Sequence, residues 1–150
     1  ASCYRCLRIF KNKFDHRQLD RHVAAELIGY LIDGTLPPFN AARIASATNL
    51  LASDLSRQGM NGFALERGAR MSNKGRSFEA PICVQCPSGE KVIVALSGPL
   101  TADHAASEEI EALRHGESTI RVIVENELLV RGNLPAATSA VQQQLGIPVK

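Results

Sequence analysis

Every cysteine of the chain sits in one of two Cys-x-x-Cys pairs, Cys3-Tyr4-Arg5-Cys6 and Cys83-Val84-Gln85-Cys86. Thiols at that spacing form disulfides, hold a metal as thiolates, or stay free, and the compartment selects among these outcomes. Two bridges between the pairs would close long loops and fix the amino-terminal stretch to the centre of the chain, stabilising it by several kcal/mol in the loop-entropy picture. A single zinc ion held by Cys3, Cys6, Cys83 and Cys86 is the alternative. It meets a spacing difficulty, because 76 residues separate Cys6 from Cys83 where about 15–20 are usual. The disulfide reading, with no cofactor, is the expectation, and free thiols are the third outcome. Neither pair opens a helix that would lower a thiolate pKa, so a redox role has little support.

Histidines add little at this level. His16 and His22 flank or lie on a helical segment, and His104 stands four residues before Glu108, a spacing that favours a helix-surface pair. No phosphate-binding glycine loop or serine nucleophile motif is present.

The elements that would position these groups follow from periodicity. Residues 17–33 place Leu19, Val23, Leu27 and Leu31 on one stripe with Gly34 as a stop, which predicts a core-facing helix. Asn40 caps a second helix that carries Ile44, Ala47, Leu51 and Leu55 and ends at Gly59. Short β-branched stretches then predict strands at 62–66, 76–84, 91–96 and 119–130. A polar helix over 102–115 lies between the last two, and Pro135 starts a final helix with Val141 and Leu145. The fold class is α+β, with amino-terminal helices packed on an antiparallel sheet. With 45% hydrophobic and 21% charged residues over 150 positions, the chain is an ordinary globular sequence, read as a single domain over 1–150.

The net charge of +2 selects no partner, but its distribution is uneven. Arg5, Arg8, Lys11, Lys13, Arg17 and Arg21 crowd residues 1–21, and Arg67, Arg70, Lys74 and Arg76 form a second basic run, whereas 103–127 is acidic. A shared basic face would hold a phosphate backbone electrostatically. Tryptophan is absent and the other aromatics are few, so a platform for stacking bases is not evident. No apolar run reaches the roughly 18 residues of a membrane span. Residues 1–20 lack the pattern of a signal peptide, and a start two residues before Cys3 fits a trimmed secretory product.

Three ordered segments carry a resemblance: Tyr4-Arg5-Cys6 with the helix after it, Phe78-Glu79-Ala80-Pro81-Ile82, and Ile120-Arg121-Val122-Ile123-Val124. Together they resemble the small secreted guanyl-specific ribonucleases of fungi and the ribonuclease-like effectors of plant-pathogenic fungi. The resemblance implies a ribonuclease-like fold with extra helices, Glu79 as general base and Arg121 as the phosphate-binding cation. Cleavage through a cyclic phosphate needs a base, an acid and a cation. The acid that the family places one strand later has no counterpart, since that stretch reads Val130-Arg131-Gly132-Asn133-Leu134. The expectation is therefore a secreted, disulfide-stapled, non-catalytic effector with vestigial Glu79 and Arg121. It would bind a host protein or RNA, with Arg67, Arg70, Lys74 and Arg76 as the nucleic-acid contacts and no membrane partner. The alternative is a cytoplasmic or nuclear nucleic-acid-binding module built on the four-thiolate zinc site.

Overall fold

The computed structural model describes residues 21–36, 40–60, 62–98, 100, 108–115 and 120–147. The chain divides into two units, Ala1–Pro38 and Phe39–Lys150.

In the first unit the periodic stripe forms helix α1, Arg21–Asp33. Gly34, at φ 74°, ends it by donating its N–H to the Tyr30 carbonyl at 2.8 Å, because a left-handed residue at that point costs glycine nothing. None of the helix is buried. Leu27 is 42% exposed and Leu31 72%, so two residues of the stripe read from the sequence as core-facing are open, while Val23 is half-buried and Leu19 lies outside the described residues. Periodicity marks where an apolar face is, and it carries no information about what packs on it.

The second unit begins with helix α2, Ala41–Arg57. The Asn40 side chain accepts the Arg43 N–H at 3.0 Å, an N-cap of the expected kind. Ile44, Ala47, Leu51 and Leu55 are buried as their spacing predicts. Strands β1 (Ala64–Asn73) and β2 (Arg76–Gln85) then form a hairpin through Lys74 and Gly75 at φ 49° and 81°. Positive φ at both turn residues matches the twist of paired strands. The sequence showed only the start of β1, since its arginines and glycine hide the strand pattern. Strand β3, Lys91–Ser97, follows a turn in which Cys86 donates its N–H to the Glu90 carbonyl at 2.8 Å.

Helix α3 (Glu108–His115) precedes β4 (Arg121–Asn126), and helices α4 (Glu127–Gly132) and α5 (Leu134–Gln144) complete the unit. The strand expected over 119–130 stops at Asn126, whose side chain accepts the Leu128 N–H at 2.8 Å and starts α4. Asn133 repeats the device for α5, with Pro135 in its first turn.

The sheet order is β1-β2-β3-β4. The first two pairings are antiparallel, but β3 and β4 run parallel. This corrects the antiparallel expectation: two parallel neighbours need a crossover connection, and α3 lies in it. Alternate residues of β3 divide the core in two. Val92, Val94 and Leu96 join Leu51 and Leu55 of α2 and Val130 and Val141 of α4 and α5. Ile93 and Ala95 join Ile110 and Leu113 of α3 on the other face. The result is an α+β unit with a four-stranded mixed sheet covered on both faces. No helix among the described residues is long and apolar enough to cross a membrane.

Candidate nucleic-acid interface

The hairpin changes face halfway along its length. Leu65, Ile82 and Val84 pack toward α2, whereas Ala69, Met71, Phe78 and Ala80 pack toward α3. The switch falls where Gly68 meets Pro81, between the register pairs Arg67↔Ile82 and Ala69↔Ala80. Proline has no N–H to give the ladder, and Gly68 adopts φ 63° there. A Cβ on Gly68 would stand 3.0 Å from Glu79 Oε1. The outer half of the hairpin thereby swings Glu79 over Gly68 and onto the α2 side.

A groove of about 590 Å³ opens beside α2 at this point, lined by Ile44, Thr48, Asn49, Arg67, Gly68 and Glu79. A second hollow of about 550 Å³ lies farther along α2, between Ser53, Ser56 and Arg57 on the helix and Leu65 and Arg67 on β1. Arg67 borders both. Arg70 faces Glu79 across the hairpin in register, and Lys74 and Arg76 occupy its tip. All four cations are exposed.

The ion pairs set these cations apart. Arg43 Nε lies 2.7 Å from Glu127 Oε1, and Arg131 Nη1 lies 3.6 Å from Glu127 Oε2. Arg57 Nη2 donates to Asp54 Oδ1 at 2.5 Å. Arg121 Nε is 3.3 Å from Glu90 Oε1 while its Nη1 donates to the Gln144 carbonyl at 3.2 Å, satisfying the carboxyl end of α5. No salt bridge among the described residues engages Arg67, Arg70, Lys74 or Arg76. Arg43 and Arg121 link separate elements and Arg57 and Arg131 pair within their own helices, whereas the hairpin cations are exposed.

The structure does not bring Glu79 and Arg121 together. Arg121 pairs with Val92 at the start of β3. Glu79 lies three residues before Ile82, which pairs with Val94, so it falls level with the far end of β3. The two stand about five residues apart along the sheet, roughly 16 Å at ~3.3 Å per residue, with a strand between them. A base and a cation acting on one phosphate must both reach it within hydrogen-bond distance.

Cys83 and Cys86 are free thiols, both buried. Cys83 lies in the α3-side cluster and Cys86 in the α2-side cluster. Burial pushes the Cys83 thiol above its ordinary value; Lys91 opposes the shift and Glu66 adds to it. Cys3 and Cys6, His16 and His104 lie outside the described residues. His115 Nε2 lies 3.2 Å from Glu111 Oε2, one helical turn away. Among the described residues no group of three or more His, Cys, Asp or Glu side chains is arranged to hold a metal ion.

The groove itself escaped sequence reading because α2 and β1 meet only in the folded chain; the glycine at Gly68 inside an arginine-rich stretch is the one local signal of it. No protein-family model matches the chain, and neither the curated proteins nor the solved structures contain a match.

Proposed function

We propose that the protein binds RNA through the β1–β2 hairpin, without cleaving it. The observation that carries this reading is the contrast in arginine use: Arg43, Arg57, Arg121 and Arg131 are each held by a carboxylate, while Arg67, Arg70, Lys74 and Arg76 stand exposed along one hairpin. Exposed cations spaced along an extended element suit a phosphate backbone, and the gain comes largely from released counterions. The groove between α2 and β1 prolongs that surface past Arg67, with Asn49 and Thr48 as neutral hydrogen-bonding groups along its wall. The separation of Glu79 from Arg121 supports binding without turnover. RNA is chosen as the ligand, and an extracellular site of action goes with it, on the resemblance to secreted ribonuclease-like effectors.

Fluorescence anisotropy of labelled single-stranded and hairpin RNA, measured across a salt series, tests the proposal. Log affinity should fall linearly with log salt, and a double Arg67→Gln, Arg70→Gln variant should bind at least about ten-fold more weakly with a shallower slope. Arg121→Gln should bind as the parent does. Salt-independent binding, or affinity unchanged in the double variant, would overturn the hairpin as the surface. RNA turnover abolished by Glu79→Ala would overturn the non-catalytic reading.

A further inference from the structure

The groove beside α2 contains a group that a phosphate surface does not need. Backbone contacts require positive charge and open access, yet the carboxylate of Glu79 stands in the wall beside Arg67. A negative charge there works against phosphate, so its place calls for a different partner. That place is built into the strand. Gly68 lacks the Cβ that would stand 3.0 Å from Glu79 Oε1, and its φ of 63° is one that glycine adopts freely. No hydrogen bond or ion pair among the described residues engages the side chain of Glu79, Asn49 or Thr48.

Much of the remaining lining is apolar, with Ile44, Ala45 and Pro81 among it. An apolar hollow with a few placed hydrogen-bonding groups suits a ring that is apolar on its faces and polar at its edge, as a nucleobase is. The polar groups narrow the choice of base. A carboxylate only accepts, whereas an amide both donates and accepts. Glutamate takes the exocyclic amine of cytosine, and asparagine pairs with the amine and ring nitrogen of adenine. Uracil carries a carbonyl oxygen where those bases carry the amine, which would set acceptor against acceptor at Glu79. One helical turn farther along α2, the second hollow brings Ser53, Ser56 and Arg57 to Arg67, and these hydroxyls and guanidinium groups suit the phosphate next to a bound base.

We infer that the groove is a base subsite that takes one adenine or cytosine of the bound RNA, with Glu79 accepting the exocyclic amine, and that it rejects uracil. The inference rests on RNA binding by the hairpin, and it gives Glu79 a specificity role in place of a vestigial catalytic one.

The test measures fluorescence anisotropy of labelled oligo(A), oligo(C) and oligo(U) of equal length with the full chain at one salt concentration. Oligo(A) and oligo(C) should each bind at least about five-fold more tightly than oligo(U), the low end of what one good base contact discriminates. Glu79→Gln should erase that preference and raise affinity for oligo(U), because the new amide accepts from an amine and also donates to a carbonyl. Asn49→Ala should weaken oligo(A) and oligo(C) and leave oligo(U) unchanged. If Glu79 merely repels phosphate, Glu79→Gln tightens all three alike and keeps their ranking, which would overturn the inference. So would a parent chain that binds oligo(A) or oligo(C) no better than oligo(U). Where that indifferent binding still falls with salt and in the double Arg67→Gln, Arg70→Gln variant, the hairpin remains an RNA surface and only the base subsite fails. No binding of any oligomer would sink both.

Discussion

Asp54 accepts hydrogen bonds from Arg57 at 2.5 Å, from Gln58 at 2.8 Å and from Thr138 at 2.8 Å. The first two come from its own helix end, and the third reaches from α5, so one carboxylate locks the helices that roof the sheet. Burial raises the carboxyl pKa, but the donors Arg57, Thr138 and Gln58 outweigh it and hold Asp54 below the ordinary value. A depressed carboxylate contributes stability that is present above the unfolded pKa of about 3.9 and is lost as pH falls through the folded value. Urea unfolding should therefore show the gap between the parent and Asp54→Asn narrowing below about pH 4, and Thr138→Val should cost about 1–2 kcal/mol at neutral pH. Glu127 poses the harder case, since it is fully buried between Arg43 and Arg131. Arg43→Ala leaves that charge without its closer partner and should cost about 3 kcal/mol, whereas Arg43→Met with Glu127→Leu should cost much less, because the buried carboxylate itself is then gone. Equal losses in the two variants would show that packing, not charge, dominates there.

At the scale of elements the β1–β2 hairpin carries two conformational requirements with separate consequences. Gly68 at φ 63° sets the face change that aims Glu79 at α2. Lys74 occupies a left-handed position at φ 49° that a lysine adopts at a cost and an asparagine tolerates better. Lys74→Asn would create the Asn-Gly sequence that suits this two-residue turn. Thermal denaturation should show the variant as stable as the parent or more so, while RNA binding weakens through the lost cation. A variant that gains stability and keeps full affinity would remove Lys74 from the interface. The helix caps tell a simpler story: Asn40, Asn126 and Asn133 each satisfy an N–H at the start of α2, α4 and α5, a donor that the helix itself cannot pair.

For the second unit as a whole, helices on both faces of a mixed sheet leave Cys83 and Cys86 in separate closed layers. Burial and the raised pKa of Cys83 both suppress the thiolate that reacts. Iodoacetamide labelling read by mass spectrometry should leave Cys83 unmodified in the folded chain at neutral pH and modify it in urea. Rapid labelling without denaturant would mean that the α3 face opens locally. The same architecture sends Arg121 to the carboxyl end of α5 and Glu79 to the groove beside α2, so the two residues that the ribonuclease resemblance pairs serve different ends of the sheet.

Local signals reached far along this chain. The cap at Asn40, the buried stripe of Ile44, Ala47, Leu51 and Leu55, the β-branched strand at Val92–Val94 and the proline-started last helix were all legible, because each depends on neighbours a few residues away. The basic run from Arg67 to Arg76 was legible as charge, but not as the arm of a ten-residue strand. What the tertiary structure alone decided is pairing direction and proximity: that β4 runs parallel to β3, that α2 forms a groove with β1, and that Glu79 and Arg121 stand apart. Strand direction and side-chain neighbourhood are set by contacts between segments distant in sequence, and no local period or composition records which of those contacts the folded chain will make.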